Sequence, residues 1–592
     1  MQELTPYLPS GYSNEIFTSR YAFTEDESWD QACRRVAAQM AKAELPEKVA
    51  RYEEKFYNAL VTNAFVPGGR IWYNSGRPSP QLLNCFVLGS DIDSKSGWGK
   101  LSHDMIITSM TGGGCGIDFS SIRPKGATIA GHRGACPGPV ELMKLINGNG
   151  YPIRAGGHRR VALMFSLDIT HPDIMEFLDA KLERGELQLA NVSVRCKVTS
   201  EFVKAVKSDA QWELSWKGKY KKSVSAKSLW NKIVENAHAS AEPGFLNWEL
   251  AEKESNIYYI EELATTNPCG EIALSPYDCC CLGHLVLPRF VRNGDIDYAL
   301  LGSTIRTGVR FLDNVFTVNH YPLPEMKEKS HKLRRIGMGT TGLADTLALL
   351  GLRYGSDEGN KFVNKLFRFI SKAAYEASTM LAIEKEPFPA CKPELHVQSG
   401  YMSRMTKKIK EMVLEHGIRN CAILTQAPTG TVSILSGNVS SGIEPMFAPA
   451  YERRYWNGDK RETELVFHPL FANFMKSNRD VGHFVSSHEL PPSAHMEVQK
   501  IVQHHIDNAV SKTINMPEDF PVKEMGDMWL SYLPHLKGTT FYRTSSRGYV
   551  NEKGELEPPP LSPLTLDDAR AKFQEGVSEG SEVDCASGVC EI

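Results

Sequence analysis

Strand-like apolar runs alternate with helical patterns along most of this chain, and this alternation limits what it can fold into. The strand-like runs lie at residues 82–88, 161–169, 192–198, 283–287 and 421–425. Apolar residues three and four apart predict helices at residues 29–44, 48–65, 101–111, 225–240, 333–351, 360–385 and 497–512. Strands that alternate with helices predict an α/β fold around a mainly parallel sheet.

Size and charge narrow the classes of function. The chain has 592 residues, enough for a large core, and 67 Lys and Arg against 70 Asp and Glu leave a net charge of -3. Charge therefore gives no general argument for a nucleic-acid partner. No apolar run approaches the roughly 18 residues of a membrane-spanning helix. The opening Met1-Gln-Glu-Leu-Thr-Pro6 lacks a basic and apolar leader, which favours a cytoplasmic location.

A cysteine pair, Cys585 and Cys590, ends a stretch rich in Pro, Glu, Ser and Gly that begins near residue 545. That composition is typical of a flexible tether, and a thiol pair on a tether suits electron transfer by thiol–disulfide exchange. The alternative is two exposed thiols without a role, although exposed free thiols are a liability. The spacing is not that of a zinc site, and no metal is predicted.

The pentapeptide Asn267-Pro268-Cys269-Gly270-Glu271 places a thiol two residues from a carboxylate. One interpretation is a plain turn, because Asn-Pro and Cys-Gly favour turns. The functional interpretation is a tight loop with Cys269 at its tip. A neighbouring carboxylate raises a thiol pKa, so Cys269 is a poor thiolate nucleophile and suits a role in which the neutral thiol loses a hydrogen atom. Glu271 can then serve as a general base.

Further cysteines stand at Cys279-Cys280-Cys281 and at Cys85, both in strand-like runs. Alternation along a strand points Cys280 away from its two neighbours. Alternatively, all four cysteines are small buried core residues without a chemical role, as cysteines in proteins commonly are. Sequence spacing alone cannot pair Cys85 with any of the three.

Of three glycine-containing segments, two are candidates for contact with a nucleotide. Ala427-Pro-Thr-Gly-Thr431 and Ser433 offer hydroxyls and backbone N–H groups for phosphate, but the lysine of a P-loop is missing and a plain turn is the alternative. The second candidate is the basic Arg154-Ala-Gly-Gly-His-Arg-Arg160, whereas Gly112-Gly-Gly-Cys-Gly116 is a further glycine-rich element. Without context, a solvated loop is the favoured interpretation of both. Neither fits the dinucleotide fingerprint.

Taken together, these residues resemble the catalytic chain of a ribonucleotide reductase, and more specifically its adenosylcobalamin-dependent (class II) branch. The resemblance runs from about residue 65 to residue 547 and includes the tail. Its motifs are Leu82-Leu-Asn-Cys-Phe-Val-Leu88, Gly112-Gly-Gly-Cys-Gly-Ile-Asp-Phe-Ser120, Asn267-Pro-Cys-Gly-Glu271, Tyr277-Asp-Cys-Cys-Cys-Leu-Gly283, Arg334-Arg-Ile-Gly-Met-Gly339, Gly342-Leu-Ala-Asp345, Ala427-Pro-Thr-Gly-Thr431, Ser440-Ser-Gly-Ile-Glu-Pro445 and Lys537-Gly-Thr-Thr-Phe-Tyr-Arg543.

The resemblance implies a ten-stranded α/β barrel made of two five-stranded halves, with a finger loop at its centre. The domains expected are a helical N-terminal region at 1–66 without an ATP-cone, the barrel at 67–545 and a flexible redox tail at 546–592. Reduction of ribonucleotides to 2'-deoxyribonucleotides is the implied activity.

The resemblance also implies a role for each matched residue. Cys269 carries a transient thiyl radical that takes the 3' hydrogen of the ribose, Glu271 accepts the 3'-hydroxyl proton, and Asn267 binds the substrate hydroxyls. Cys85 and Cys280 supply two electrons and become a disulfide. The tail pair Cys585 and Cys590 then reduces that disulfide and is itself renewed by thioredoxin or a similar donor. The residues implied to hold the substrate phosphates are Thr429, Gly430, Thr431 and Ser433.

This sequence departs from the family pattern beside Cys280. Cys281 replaces the usual Asn, and His284 stands where Ser is usual. Cys279 and Cys281 are therefore rivals of Cys280 as the partner of Cys85.

Regulation is implied at two further segments. Residues 91–101, with Asp93 and Ser94, occupy the place of the loop that binds a deoxynucleotide or ATP as specificity effector. The segment with Arg159 and Arg160 occupies the place of the loop that relays effector identity to the substrate base. In the family such an effector loop usually works at a homodimer interface.

The source of the radical is indicated by Phe541-Tyr542. Metal-dependent members of the family carry two adjacent tyrosines at this place, and only one is present here. Adenosylcobalamin is therefore the favoured cofactor. One alternative is a class I catalytic subunit that requires a separate metal-containing, radical-generating subunit. Another is a nucleotide-binding regulatory protein without catalysis, which the matched cysteines and Glu271 disfavour.

Overall fold

The fold is a sheet-based barrel with helices around it. The computed structural model describes residues 4–89, 92–129, 134–155, 159–182, 187–457, 460–544, 546, 549–550, 556–557 and 561–578. The helices are Gly11–Arg20, Trp29–Ala41, Val49–Val61, Gly69–Asn74, Lys95–Met110, Pro139–Gly150, Ile174–Asp179, Thr199–Ser208, Ala226–Ser240, Trp248–Lys253, Tyr298–Val318, Pro324–Leu333, Leu343–Leu349, Asp357–Lys385, Pro393–His396, Lys407–His416, Thr431–Leu435, Pro469–Lys476, Pro492–Gln503, Val522–Tyr532 and Leu566–Ser578. None of the helices in these ranges has the length and apolar character needed to cross a membrane.

Ten strands share the main sheet. They are β1 Phe65–Pro67, β2 Cys85–Leu88, β3 Gly114–Asp118, β4 Leu163–Asp168, β5 Ala190–Cys196, β6 Gly244–Asn247, β7 Cys279–Val286, β8 Ile336–Thr341, β9 Thr513–Met516 and β10 Gly538–Arg543. Their order is β1-β7-β2-β3-β4-β5-β6-β10-β9, and β8 pairs with β7. Smaller hairpins and short strands comprise Arg154–Ala155, Arg159–Arg160, Gln211–Trp216, Lys219–Ser225, Thr265–Thr266, Ala273–Leu274, Val291–Arg292, Asp295–Ile296, Ala450–Asn457, Lys460–Phe467, Tyr549–Val550, Leu556–Glu557 and Leu561–Pro563.

The sheet closes into a barrel of two parallel halves. Strands β2 to β6 run parallel to one another, and β7 with β8 and β9 with β10 are parallel pairs. The halves meet antiparallel at β2/β7 and at β6/β10. Parallel bridges from Met338 to Leu424 and from Gln426 to Val510 insert the segment 424–426 between β8 and the approach to β9. The second half is therefore β7, β8, this segment, β9 and β10, and the predicted ten-stranded barrel is confirmed.

Strand β7 shows how the barrel wall divides inside from outside. All eight of its residues are buried, as expected for a strand covered on both faces. Cys280 and Leu282 belong to a small apolar cluster inside the barrel, whereas Cys279, Cys281 and Leu285 belong to the large core outside it. Side-chain alternation thus places Cys280 alone of the three cysteines toward the barrel interior.

The N-terminal helices pack on the outside of the barrel. A capping box begins the helix Trp29–Ala41, in which Gln31 N–H donates to Ser28 Oγ and Ser28 N–H donates to the Gln31 side chain. Buried Glu44 follows this helix and forms ion pairs with Arg310 and Lys385 of two barrel helices, both at 2.9 Å. These contacts fix the helical region to the barrel.

Two stretches differ from the sequence-based prediction. The helix predicted at 333–351 is wrong over residues 336–341, which form β8 before the helix Leu343–Leu349 begins. Periodicity alone cannot distinguish a buried strand from a buried helix. Strand β8 contains glycines because the segment 424–426 packs close against it: a Cβ at Gly339 would lie 2.6 Å from the Thr425 carbonyl oxygen. The helix predicted at 497–512 runs instead from Pro492 to Gln503.

Part of the tail predicted to be flexible is folded. The strand Leu561–Pro563 pairs with Ala450–Asn457, and the helix Leu566–Ser578 follows it. Phe573 of this helix is buried and its ring meets those of Phe467 and Phe471 edge-on. Composition did not predict this, because a short strand and helix stabilised by distant aromatic contacts leave little local signal.

Candidate active site

A hairpin inside the barrel carries the Asn-Pro-Cys-Gly-Glu motif at its tip. The strands Thr265–Thr266 and Ala273–Leu274 pair antiparallel and leave residues 267–272 as the loop. Gly270 N–H donates to the Asn267 carbonyl at 3.0 Å, and Gly270 has a φ of 80°, a conformation that glycine adopts readily. The motif is therefore a tight turn, and the turn displays Cys269.

Both halves of the barrel hold this finger loop. The Glu271 carbonyl accepts from Thr425 Oγ1 at 2.7 Å and from Ala509 N–H at 2.8 Å in the second half. From β5 in the first half, Asn191 Nδ2 donates to the Pro268 carbonyl at 3.3 Å. The loop therefore lies across the centre of the barrel, in the position predicted for it.

The glycines of β3 make room for the finger loop. A Cβ at Gly116 would lie 1.8 Å from the Thr266 carbonyl oxygen, and one at Gly114 would lie 3.0 Å from Pro268 Cγ. The sequence favoured a solvated loop for Gly112-Gly-Gly-Cys-Gly116 and did not predict this role. The sequence signal for this role was the spacing of Gly114 and Gly116. Residues two apart in a strand lie on the same face, so two glycines at this spacing leave that face without side chains.

Cys269 borders a cavity of about 260 Å³ and is exposed to it. The cavity walls combine small residues with aromatic ones, among them Ser193, Gly244, Gly538 and Phe541. A Cβ at Gly270 would have no neighbour within 4 Å, so space is open beside the thiol. A ligand can reach Cys269 without any displacement of the loop.

Glu271 and Asn267 are buried, whereas Cys269 between them in the chain is exposed. Burial raises the pKa of Glu271 to about 7, and the Asn267 side chain opposes part of that rise. In the described part of the chain Glu271 Oε2 has no hydrogen-bond partner. A carboxyl group that has one oxygen without a hydrogen-bond partner and a pKa near neutrality can take up and return a proton at ordinary pH.

Asn267 joins the finger loop to the first redox candidate. Its Oδ1 accepts from Ile272 N–H at 3.1 Å, and its Nδ2 donates to Cys85 Sγ at 3.2 Å. Cys85 on β2 is the direct antiparallel partner of Cys280 on β7. Directly opposed residues of an antiparallel pair bring their Cβ atoms within roughly 5 Å, close to the separation of a disulfide.

The rivals of Cys280 lie on the other face of β7. Cys279 Sγ is 2.8 Å from Ser330 Oγ outside the barrel, and Cys281 shares that face. Burial, followed by the nearby thiols of Cys281 and Cys85, raises the pKa of Cys280 well above its ordinary value. Cys280 is therefore a neutral thiol in the resting protein.

The Ala427–Thr431 segment lies next to this site. Ala427 belongs to the same interior cluster as Cys85 and Cys280. Thr429 has a φ of 61°, and its Oγ1 accepts from Gly442 N–H at 2.9 Å and lies 3.2 Å from Thr341 Oγ1. The hydroxyl groups are thus held in place by the neighbouring loop.

The other three phosphate-site candidates, Gly430, Thr431 and Ser433, also make hydrogen bonds within the chain. Gly430 has a φ of 45°, and its carbonyl accepts from Ser433 Oγ at 2.7 Å. Ser433 Oγ is also 2.9 Å from Ser441 Oγ, and the Thr431 hydroxyl is hydrogen-bonded to that of Tyr21. All four residues of the predicted phosphate site therefore stand in one loop and the helix after it.

The predicted effector residues are engaged within the chain. Arg123 binds Asp93 through Nε at 3.1 Å and Nη2 at 3.1 Å, and Ser94 Oγ accepts from Gly97 N–H at the start of the helix Lys95–Met110. The predicted loop at 91–101 is therefore mostly helix. The backbone of Arg159–Arg160 pairs antiparallel with that of Arg154–Ala155, and residues 156–158 lie outside the described residues.

Cys585 and Cys590 also lie outside the described residues, so their predicted role stays a prediction.

Comparisons with known proteins place this architecture in a family. Residues 83–542 match the model of the ribonucleotide reductase barrel domain, and residues 7–80 match that of the ribonucleotide reductase all-alpha domain. A protein of Mycobacterium tuberculosis (strain CDC 1551 / Oshkosh) named vitamin B12-dependent ribonucleoside-diphosphate reductase is 33% identical over 97% of this chain and 82% of its own length.

Two other relatives support the same family. A protein of the same name from Thermoplasma acidophilum is 32% identical over 84% of this chain and 66% of its own length. The ribonucleoside-diphosphate reductase large subunit of Variola virus is 27% identical over 68% of this chain and 58% of its own length. With the barrel, the finger loop and its cysteines, these matches show that the chain belongs to the ribonucleotide reductase family.

Proposed function

We propose that this protein reduces ribonucleoside diphosphates to 2'-deoxyribonucleoside diphosphates with adenosylcobalamin as its radical source. The observation that carries the proposal is the finger loop, which exposes Cys269 to a cavity, buries Glu271 and joins buried Asn267 to Cys85 by a hydrogen bond. The names of the two more similar relatives support the diphosphate substrate and the cofactor.

Cys269 starts the reaction from the cavity side. Its sulfur, as a thiyl radical, takes the hydrogen atom from C3' of the ribose and becomes a thiol. Glu271 accepts the proton of the 3'-hydroxyl through Oε2, which is buried and has no hydrogen-bond partner in the described part of the chain, and its pKa of about 7 suits both uptake and return of that proton. An enclosed site protects the radical from side reactions.

Cys85 and Cys280 supply the electrons of the reduction. The C2'–O bond breaks, the 2'-hydroxyl leaves as water, and a hydrogen takes its place at C2'. The two thiols lose two hydrogens in total and form one disulfide, so the step balances as ribonucleotide plus dithiol to deoxyribonucleotide, disulfide and water. Finally the thiol of Cys269 returns its hydrogen to C3'. The cross-strand opposition of Cys85 and Cys280 supports this pairing.

The hydroxyl-rich loop is the proposed phosphate site. Thr429, Gly430, Thr431 and Ser433 offer hydroxyl and N–H donors beside the interior cluster that contains both cysteines. Pro428, next to Thr429, lines the same cavity as Cys269, so a diphosphate bound by this loop would direct the ribose toward Cys269.

A cavity of about 260 Å³ is too small to enclose adenosylcobalamin, so the cofactor would dock over the cavity mouth. The small residues Ser193, Gly244 and Gly538 line the cavity beside Cys269 and leave its wall free of bulky side chains at these positions. These residues, with Phe541, would hold adenosylcobalamin. When bound, that cofactor supplies the radical that removes the hydrogen atom from the Cys269 thiol.

Phe541 argues against radical delivery through the protein. It is buried in the cavity wall at the place where metal-dependent members of the family carry the first of two tyrosines. A phenylalanine has no phenolic O–H to oxidise, which favours the cofactor over a metal-containing second subunit.

Electron resupply and regulation complete the proposal. Cys585 and Cys590 reduce the Cys85–Cys280 disulfide, and thioredoxin or a similar dithiol protein renews them. A homodimer with a nucleotide effector near Asp93, Ser94, Arg159 and Arg160 follows from the family resemblance. Since Asp93 is held by Arg123, effector binding there would exchange or share that ion pair.

The test is product formation by the purified chain with CDP, adenosylcobalamin and dithiothreitol. We expect dCDP from the wild type and none from Cys269→Ser, which lacks the radical-forming sulfur. Turnover that begins only after a metal-containing subunit is added would refute the cofactor assignment and favour the class I alternative.

A further inference from the structure

The short helix Thr431–Leu435 is held from behind by the N-terminal region. Tyr7 O–H donates to the Leu435 carbonyl at 2.9 Å, and Ser13 Oγ donates to the Ile434 carbonyl at 2.7 Å. Asn63 Nδ2 donates to the carbonyl of Ser436, the residue after the helix, at 3.3 Å. These side chains donate hydrogen bonds to carbonyl groups at the C-terminal end of the helix, which have no hydrogen-bond partner within the helix itself.

A fourth residue of the N-terminal region reaches the other end of this helix. The hydroxyl groups of Tyr21 and Thr431 are hydrogen-bonded, and Tyr21 is buried. Thr431 is one of the residues proposed to hold the substrate phosphates. The contact therefore joins the N-terminal helices to the proposed substrate site.

Tyr21 is itself fixed on several sides. Its N–H donates to the Phe17 carbonyl at 2.9 Å, and its own carbonyl accepts from Arg35 Nη2 at 3.3 Å. Its ring lies so close to Gly69 that a Cβ there would be 3.0 Å from Tyr21 Cε1. A phenol held in this way has a defined hydroxyl position, so it can orient the group that it meets.

We infer that Tyr21 is a positioning residue for the substrate phosphates and acts through Thr431; the inference rests on the proposed function. A threonine hydroxyl has one hydrogen and two lone pairs. When Tyr21 O–H donates to Thr431 Oγ1, the Thr431 hydrogen is left to donate to a phosphate oxygen, and such a chain of donors strengthens each bond. The N-terminal helical region is then part of the substrate site.

Hydroxyl orientation matters here because the hydrogen bonds described for this loop are made by hydroxyl and backbone groups. Thr429 interacts with Thr341 and Gly442, and Ser433 with Gly430 and Ser441. Neutral donors bind phosphate only along their O–H and N–H directions. The loss of one orienting partner should therefore weaken substrate binding and leave the radical chemistry intact.

The experiment is steady-state kinetics of Tyr21→Phe in the holoenzyme, with CDP as substrate and inorganic pyrophosphate as a competitive inhibitor. We expect KM for CDP to rise about fivefold, as for the loss of one hydrogen bond, with kcat at saturation unchanged. The inhibition constant of pyrophosphate should rise by the same factor, because pyrophosphate occupies only the phosphate site.

Two further variants make the result specific. Thr431→Ala should raise KM at least as much, and the double variant should add nothing to it, because both changes break one chain of hydrogen bonds. Tyr321→Phe is the matched control, since it removes a tyrosine hydroxyl that donates to the Phe316 carbonyl at 3.0 Å, and its KM should equal that of the wild type.

The outcomes separate this inference from the proposed function. A raised KM in Thr431→Ala with an unchanged KM in Tyr21→Phe would overturn the role of Tyr21 and leave the phosphate site standing. Unchanged KM values in both would overturn the phosphate site and the inference with it. A lower kcat and melting temperature in Tyr21→Phe at constant KM would show a purely structural residue and also overturn the inference.

Discussion

Glu271→Gln should remove a pH dependence from the stability of the folded protein. Burial raises the pKa of Glu271 from 4.5 to about 7. The folded state therefore holds its proton over a pH range in which the unfolded state has lost it. The stabilising contribution is fully present below about pH 4.5 and is lost as pH rises through about 7. Glutamine is neutral throughout and lacks this dependence.

The size of the effect follows from the two pKa values. Each unit of difference corresponds to about 1.4 kcal/mol, so the full range is about 3 kcal/mol, and roughly 2–3 kcal/mol of it falls between pH 5 and pH 8. Urea unfolding of wild type and Glu271→Gln at these two pH values measures it. The wild type should lose this much stability relative to the variant on going to pH 8.

A second glutamate serves as the matched control for this stability comparison. Glu411 is on the exposed face of the helix Lys407–His416, and Glu411→Gln should follow the wild type within experimental error. If the stability difference between wild type and Glu271→Gln were the same at both pH values, Glu271 would not be a desolvated carboxyl, and its proposed proton transfer would lose its physical basis.

Two other changes test the loop and the tail. Gly116→Ala puts a methyl group 1.8 Å from the Thr266 carbonyl oxygen at the base of the finger loop, so we expect at least a tenfold loss of dCDP formation and a lower melting temperature. Gly148→Ala, with no neighbour within 4 Å, is the control and should keep both. Full activity in Gly116→Ala would contradict the packing described for the loop. Cys585→Ser should retain turnover with dithiothreitol and lose it with thioredoxin, because only the protein reductant needs the tail; an equal loss with both reductants would refute the shuttle.

The sequence predicts those parts of the site that depend on short-range geometry. Strand alternation alone turns Cys280 away from Cys279 and Cys281, because side chains have a period of two. The turn residues around Cys269 likewise predict a tight loop. The opposition of Cys85 to Cys280 is different, since it depends on how two distant strands align and enters the sequence analysis only through the family resemblance.

The features that the sequence did not predict depend on packing between distant parts of the chain. The helical pattern at 333–351 hides β8, whose glycines are set by the close approach of the segment 424–426. The close contact of Gly116 with the finger loop and the hydrogen bond between Tyr21 and Thr431 both join residues far apart in the chain. No local propensity encodes such contacts, because tertiary packing decides them.

The most direct test of the proposed chemistry is a single turnover of the double variant Cys585→Ser/Cys590→Ser, fully reduced and without external reductant. With CDP and adenosylcobalamin, each chain should form one dCDP and one disulfide, and peptide mass mapping should place that disulfide between Cys85 and Cys280. Formation of dCDP with both thiols still reduced, or a disulfide from Cys85 to Cys279 or Cys281, would contradict the account.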